Sequence, residues 1–432
     1  MADVRPLRGL RYSPAAGDLG ELLCPPYDLI TASMQQALYQ RSAHNAIRLE
    51  MPESRPTDTP ERNRYTRAAA TLQRWARDGV LLRERRPVLY LLRQGFAHRG
   101  RPMERLALIA AVRLVEFERG VVLPHEHTSE APKRDRLQLM KACRANISPV
   151  MALYRDPQRA VAREVRRALR GAPVASAHVG DERYDLWALE DPGQQAAVRR
   201  ALASQPLYLA DGHHRYETAL AYRDLMRRQA GEAATGEEAW NFLLMALVDM
   251  DDPGLLVLPY HRLVGGLAPH RFTRVRDQLT TLFAVDPLPG DQRNGWLQGL
   301  LDAVAERGRQ AQVLGLLGPD GEGPYLLTLR PGRDLSRWGP MARFEAWLLE
   351  ELALRPVLGD ALGEHLAYVH DAEEAAQRVA RGAAQMAFFL KPLPLDLFEE
   401  IVRRGQRLPP KSTYFWPKLP TGLVFNTLEG DL

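Results

Sequence analysis

The stretch Leu207-Tyr-Leu-Ala-Asp211-Gly212-His213-His214-Arg215-Tyr216-Glu-Thr-Ala-Leu220 decides how the chain is read. Leu207 to Ala210 is a short apolar run of strand type. Asp211 and Gly212 make a turn, and Tyr216 to Arg228 then has helical spacing through Ala219, Leu220, Tyr222 and Met226. A strand, a glycine turn and a helix in this order are built like an anion cradle. Glycine accepts φ > 0 and lets another backbone approach closely, and the open N–H groups of a helix start form a positive end suited to phosphate. Arg215 is suited to fork onto phosphate oxygens, His213 and His214 to donate hydrogen bonds, and Asp211 to cap the helix or to hold a metal through water. The competing reading is an Asp-Gly turn with two surface histidines.

Outward from this junction the first half alternates short β-rich runs with helical stretches, the pattern of an α/β or α+β domain with a mixed sheet. Pro60 to Asp78 carries Tyr65, Ala69, Leu72 and Trp75 near a 3.6 period, and Ala32 to Arg41 has helix-like composition. Pro87 to Phe96 and Arg105 to Phe117 flank an Arg/Gly turn and read as a hairpin. Pro149 to Tyr154, Val174 to His178, Tyr184 to Leu189 and Leu255 to Pro259 read as further strands, with a helix over Pro157 to Leu169. Glycines and a proline at Val264 to Pro269 mark a boundary, giving an N-terminal nucleotide-binding region over 1–265 and a C-terminal α/β region over 266–432. In the latter, helices are predicted at 271–283, 295–307, 341–353 and 372–381, around strands at 313–317, 325–329 and 386–390.

The 432 residues include 45% hydrophobic side chains and only two cysteines, with a net charge of +5. That describes a folded chain long enough for two domains, without the clustered basic excess of a dedicated nucleic-acid binder. Cys24 and Cys143 form neither a disulfide framework nor a CxxC motif, and no apolar run has the length of a membrane span, so a cytoplasmic protein is expected. Only five of the 58 basic residues are lysines, namely Lys133, Lys141, Lys391, Lys411 and Lys418. Where arginine has displaced lysine almost everywhere, each survivor merits inspection, because a compact ammonium does what a planar guanidinium does not.

Three further segments carry chemistry. Pro124-His125-Glu126-His127-Thr128, followed by Lys133, Asp135 and Arg136, reads as a dense polar loop. In it Glu126 is suited to act as general base and His125 to steady a reacting oxygen, while Lys133 and Arg136 neutralise phosphate charge. Alternatively His125 and His127, with His213 or His214, form a zinc site, although HxH lacks the helical HExxH spacing. In Cys24-Pro-Pro-Tyr27-Asp28 the prolines stiffen a loop that presents Tyr27 and Asp28 to Mg²⁺ or substrate. Gly405 to Ser412 nearly matches a P-loop, but Pro410 removes an N–H where the cradle needs one, so that motif is rejected. Lys411, Ser412, Thr413 and Lys418 remain candidates for a site. No GxGxxG follows a strand, and GxSxG and HRDxxxxN are missing, which disfavours dinucleotide enzymes, serine hydrolases and protein kinases.

With these residues in place, the chain resembles the bacterial and archaeal family catalogued as domain of unknown function 1015. The resemblance rests on CPPYD (24–28), NAIRLE (45–50), HEHT (125–128), ADGHHRYETA (210–219), LPYHRLV (258–264) and PPKSTYFWPK (409–418). The chain departs from the family pattern at Tyr260, where Thr is commoner, and at Pro410, where Gln is usual. The DGHHR box is similar to one in the ParB/sulfiredoxin-like group, which includes nucleotide-dependent free-serine kinases and CTP-binding ParB proteins. That likeness implies a ParB/sulfiredoxin-like nucleotide-binding core with added N- and C-terminal elements. It further implies phosphates on Asp211, Gly212, His213, His214 and Arg215, and Glu126 as the counterpart, by role, of a catalytic glutamate; Lys411 and Ser412 are expected to join the phosphate site from the C-terminal part. Tyr27, Asp28, Thr128, His261 and Arg262 are expected as supports. The expected activity is phosphoryl transfer from ATP or ADP, with Mg²⁺, to a small hydroxyl-bearing metabolite, free L-serine first, with no nucleic-acid or membrane partner. A ParB-like nucleotide switch and a zinc hydrolase are the alternatives.

Overall fold

The computed structural model describes residues 1–288, 295–319 and 322–432. The chain forms two compact units, Met1–Leu255 together with Pro417–Leu432, and Leu256–Trp416. The expected division at 265/266 differs because His261–Val264 pairs with Leu366–Val369 and Met386–Phe389 in the second unit. The tail fell on the other side of the expected line; Asn426–Thr427 instead pairs with Ala145–Asn146 in the first unit.

Among the described residues the first unit is built on a nine-stranded sheet. Its backbone runs Val122–Leu123, Leu207–Asp211, Val150–Tyr154, Phe242–Asp249, Arg101–Arg113, Leu89–His98, Glu182–Leu189 and Ala175–Val179, with Val4–Arg5 paired to Arg101–Arg113. Parallel pairings join Phe242–Asp249 to Val150–Tyr154 and Leu207–Asp211 to Val122–Leu123, and the remaining pairings are antiparallel. The mixed α/β class is therefore what the chain adopts. The hairpin turns at Arg99 and Gly100, both with positive φ, in register with His98 opposite Arg101. That conformation matches the twist of the two strands, and glycine reaches it at no steric cost.

Among the strands not read from the sequence, one is central to the sheet. Phe242–Asp249 is buried along nearly its whole length, because helices and sheet neighbours cover both faces, so its side chains are apolar without alternation. Leu89, Leu91, Leu108, Ala110, Val150, Ala152, Leu207, Leu209, Met245 and Leu247 form one core beneath the helix His213–Ala230, which contributes Tyr216, Ala219 and Tyr222.

The polar segment after HEHT is also not the loop expected. Glu130–Cys143 is a helix carrying Lys133, Asp135 and Arg136. Pro132 stands in its first turn, where a missing N–H breaks no helical bond.

In the second unit, a six-stranded sheet among the described residues runs Phe283–Pro287, Tyr325–Leu329, Val313–Leu317, Met386–Phe389, His261–Val264 and Leu366–Val369, antiparallel at each pairing. The helix expected over 341–353 is broken into a 3₁₀ turn Ser336–Arg343, a short helix Glu345–Trp347 and a wide π-turn Leu348–Leu354. Within it the buried Glu350 meets the guanidinium of Arg262 at 2.9 Å. No helix among the described residues is long and apolar enough to cross a membrane.

Candidate functional site

The strand Leu207–Asp211 slips register against Val150–Tyr154 between Leu209 and Asp211, a bulge of the kind that re-aims side chains beside functional sites. Gly212 follows with φ 92° and ψ 31°, and the helix His213–Ala230 starts without a side-chain cap. Asp211 therefore does not cap the helix as expected. Its Oδ2 accepts from Arg215 at 2.6 Å, and its Oδ1 pairs with the Lys418 ammonium. A lysine and an arginine compete for the carboxylate more strongly than a neutral amide does.

Arg215 also departs from its expected role. It is buried, and it donates to Ser148 Oγ at 3.0 Å and to the Pro149 carbonyl at 2.7 Å. These bonds make it a brace beneath Gly212 and Asp211, not an open fork for phosphate.

Around this brace the structure gathers the HEHT segment. His125 is buried, its Nδ1 lies 2.7 Å from the Leu209 carbonyl, and its backbone N–H donates to His213 Nε2 at 3.2 Å. The His125 and His213 rings meet edge to face at 4.4 Å. His125 Nε2 faces Glu126 Oε1 at 3.8 Å. Ligand atoms of His125, Glu126 and His213 all lie within 4.8 Å of one another. The sequence-derived zinc set is thus corrected in its membership: Glu126 stands in the cluster where His127 was expected.

His214 turns the other way and accepts the Ser129 N–H at 3.0 Å, pinning the start of the Glu130–Cys143 helix. Lys133 is held by Glu130 at 2.7 Å and Glu217 at 3.1 Å; these hydrogen-bonded carboxylates raise its pKa, Glu130 first. Thr128 Oγ1 donates to Glu217 Oε2 at 2.5 Å. Lys133 therefore ties helix to helix, and its charge is already met.

Arg136 is likewise engaged. It donates to the Glu50 carbonyl at 2.7 Å, pairs with Asp135, and lies over the Tyr27 ring at 4.5 Å. Burial raises the Tyr27 pKa above its ordinary range. Glu50, from the NAIRLE segment, accepts the Tyr27 N–H at 3.1 Å and the Ser148 hydroxyl at 3.2 Å. A chain of contacts thus runs from Glu50 through Ser148 and Arg215 to Asp211. The cavity behind it, lined by Glu50, Arg136, Ser148 and Arg215 among others, holds about 40 Å³, room for water and not for a metabolite.

Lys418 is the residue whose place the sequence left most open. Its side chain is buried, and burial draws its pKa down against the opposing pull of Asp28 and Glu126, which are near enough to favour the charged form. Its backbone is fastened by Gln94 at the Lys418 carbonyl, 3.3 Å, and by Arg105 at the Pro417 carbonyl, 2.5 Å. Asp28 and Glu126 thus act on the ammonium that pairs with Asp211, and Arg105 acts against them.

The remaining sequence candidates belong to the second unit. Lys411, with φ 54°, stands over the Tyr260 ring at 5.5 Å, and Ser412 Oγ donates to the Pro409 carbonyl at 2.6 Å. His261 Nδ1 accepts the Leu390 N–H at 3.2 Å. Arg262 is committed to Glu350 and to the carbonyls of Tyr260 and Pro410. Ser412, His261 and Arg262 therefore have structural partners inside that unit.

The sequence profile of the family described as "Protein of unknown function (DUF1015)" matches residues 4–352. The chain belongs to this DUF1015 family. The matched stretch of the DUF1015 protein includes the CPPYD, NAIRLE, HEHT, DGHHR and LPYHRLV segments and ends before Lys418. No curated protein sequence matches it. Similar solved structures include a variant of a free serine kinase in complex with ADP, 14% identical with a TM-score of 0.36 over 73% of this chain and 92% of that one. A conserved hypothetical protein from Pyrococcus furiosus is 15% identical with a TM-score of 0.35 over 73% and 95%. SbnI with a C-terminal truncation from Staphylococcus aureus is 11% identical with a TM-score of 0.36 over 75% and 87%.

Of the two ions weighed from the sequence, Mg²⁺ does not fit the preformed donor set. It takes oxygen ligands in octahedral geometry, whereas two of the three clustered donors are imidazoles.

Proposed function

We propose that this DUF1015 protein transfers the terminal phosphoryl group of a nucleotide, ATP or ADP, to the hydroxyl of a small metabolite, free L-serine first. The reading is carried by one observation: an uncapped helix start at Gly212–His213 stands beside a carboxylate, Glu126, and a buried ammonium, Lys418. Phosphoryl transfer asks a protein mainly for positioning and for charge stabilisation, and these are the groups that supply them.

In this reading the N–H groups of the first helical turn hold phosphate oxygens. Lys418 moves part of its contact from Asp211 to the transferring group and takes over the role expected of Lys133 and Arg136. Glu126 accepts the proton of the acceptor hydroxyl as its oxygen bonds to phosphorus and the bond from phosphorus to the leaving nucleotide oxygen breaks. Arg215 holds Asp211 in place.

The test is incubation of the purified protein with Mg²⁺, each nucleotide in turn and pooled amino acids, followed by mass spectrometry of the products. A phosphorylated hydroxy amino acid is expected, and Glu126→Gln is expected to slow its formation by on the order of 10²-fold or more. Absence of any phosphorylated amino acid with every donor overturns the reading.

A further inference from the structure

We infer that His125, Glu126 and His213 form a binding site for one divalent ion of the zinc, cobalt or manganese class, distinct in kind from the Mg²⁺ that accompanies nucleotides. The inference goes beyond the proposed activity and does not depend on it.

Two observations carry it. First, the ligand atoms of the three residues are already within 4.8 Å of one another, with both imidazoles buried. Two histidines and a carboxylate with further positions open are a donor set that transition-type ions favour.

Second, the His125 tautomer is set for coordination. The Leu209 carbonyl is only an acceptor, so the nitrogen 2.7 Å from it, Nδ1, carries the proton. That leaves Nε2 as the lone-pair nitrogen, and Nε2 is the atom facing Glu126 at 3.8 Å. A carbonyl behind the distal nitrogen is how metal-binding histidines are usually oriented.

His213 is the weakest of the three donors. Its Nε2 takes the 3.2 Å bond from the His125 amide, a contact that the ion displaces. Glu126 serves the ion through Oε1, the oxygen towards His125, which leaves its second oxygen for the proton in the reading above.

The experiment uses the full chain, stripped with chelator and titrated with Co²⁺ without nucleotide. Visible absorption and the thermal unfolding midpoint are followed together. One Co²⁺ per chain is expected, with a rise in the midpoint and no displacement by excess Mg²⁺. Loss of a direct ligand should exceed the roughly 10–100-fold loss of affinity that removal of an orienting partner causes, so Glu126→Gln should fall beyond that range and His213→Ala should lose less. Both variants are first checked for a native circular dichroism spectrum; His125→Asn is a third variant should either fail. No stoichiometric Co²⁺, equal affinity in the folded variants, or ready displacement by Mg²⁺ overturns the site. Co²⁺ binding without a phosphorylated product overturns only the kinase reading.

Discussion

Replacing Gly212 by alanine tests the mechanical link between the turn and the charges it positions. Gly212 has φ +92°, and a Cβ there would lie 2.9 Å from Arg215 Nε, 3.0 Å from its NH2 and 3.1 Å from Val150 Cγ2. Left-handed backbone costs a non-glycine residue roughly 1–2 kcal/mol, and forcing a methyl into a filled space typically adds about 1–3 kcal/mol. Together these predict a loss of roughly 2–5 kcal/mol. Gly100 is the control, because it has φ +72° with nothing within 4 Å of its Cβ position; its alanine variant carries the backbone cost alone. The assay is urea unfolding of both variants beside nucleotide affinity by calorimetry. Gly212→Ala should be the less stable by about the packing difference, 1–3 kcal/mol. It should also weaken nucleotide binding, since the displaced guanidinium is the one that holds Asp211. If the two variants lose equal stability and bind nucleotide alike, Arg215 does not brace this turn.

Lys418→Gln should slow product formation by on the order of 10²-fold, read in the same mass-spectrometric assay; near-normal turnover would remove Lys418 from the reaction. Burial holds the His261 pKa at about 4 against an ordinary 6.5. The unfolded chain therefore binds the proton first, and stability present above pH 6.5 is lost as pH falls towards 4. A shift of this size is worth up to about 3 kcal/mol, and the acid slope of urea unfolding between pH 6.5 and 4 should flatten in His261→Gln. In the second unit, Lys391 pairs with the buried Glu345. Lys391→Met should cost roughly 3–5 kcal/mol, and adding Glu345→Leu should restore much of it; a double variant as unstable as the single one would contradict this.

The junction at Leu207–Arg215 was legible because its strand, turn and helix are local, and each announces itself by residue type. The hairpin at Arg99–Gly100 was legible for the same reason. The central strand Phe242–Asp249 was not, since burial on both faces erases the alternation that marks a strand. The Glu130–Cys143 helix was hidden by charges on most of its surface and a proline in its first turn.

At the site, residue types pointed to Glu126, His125 and the DGHHR box, but not to how they are shared out. Arg215 and Lys133 read as open cations only because a sequence does not show the carboxylates that reach them. Lys418 and Asp211 stand 207 residues apart, and no spacing rule links them; scarcity of lysine and the PPKSTYFWPK segment pointed to Lys418, but not to its partner. Glu50 and Ser148, the supports beneath Arg215, carry no local signature beyond the NAIRLE segment.

The return of Pro417–Leu432 to the first unit has a consequence for how the protein matures. During synthesis the helix at His213 and both histidines leave the ribosome long before residue 418, and the whole second unit is made in between. At roughly 5–20 residues per second, many seconds pass between the synthesis of Asp211 and that of Lys418. In the reaction proposed above, the amine of Lys418 is therefore the last of the named groups to arrive, after translation has passed the end of the inserted unit.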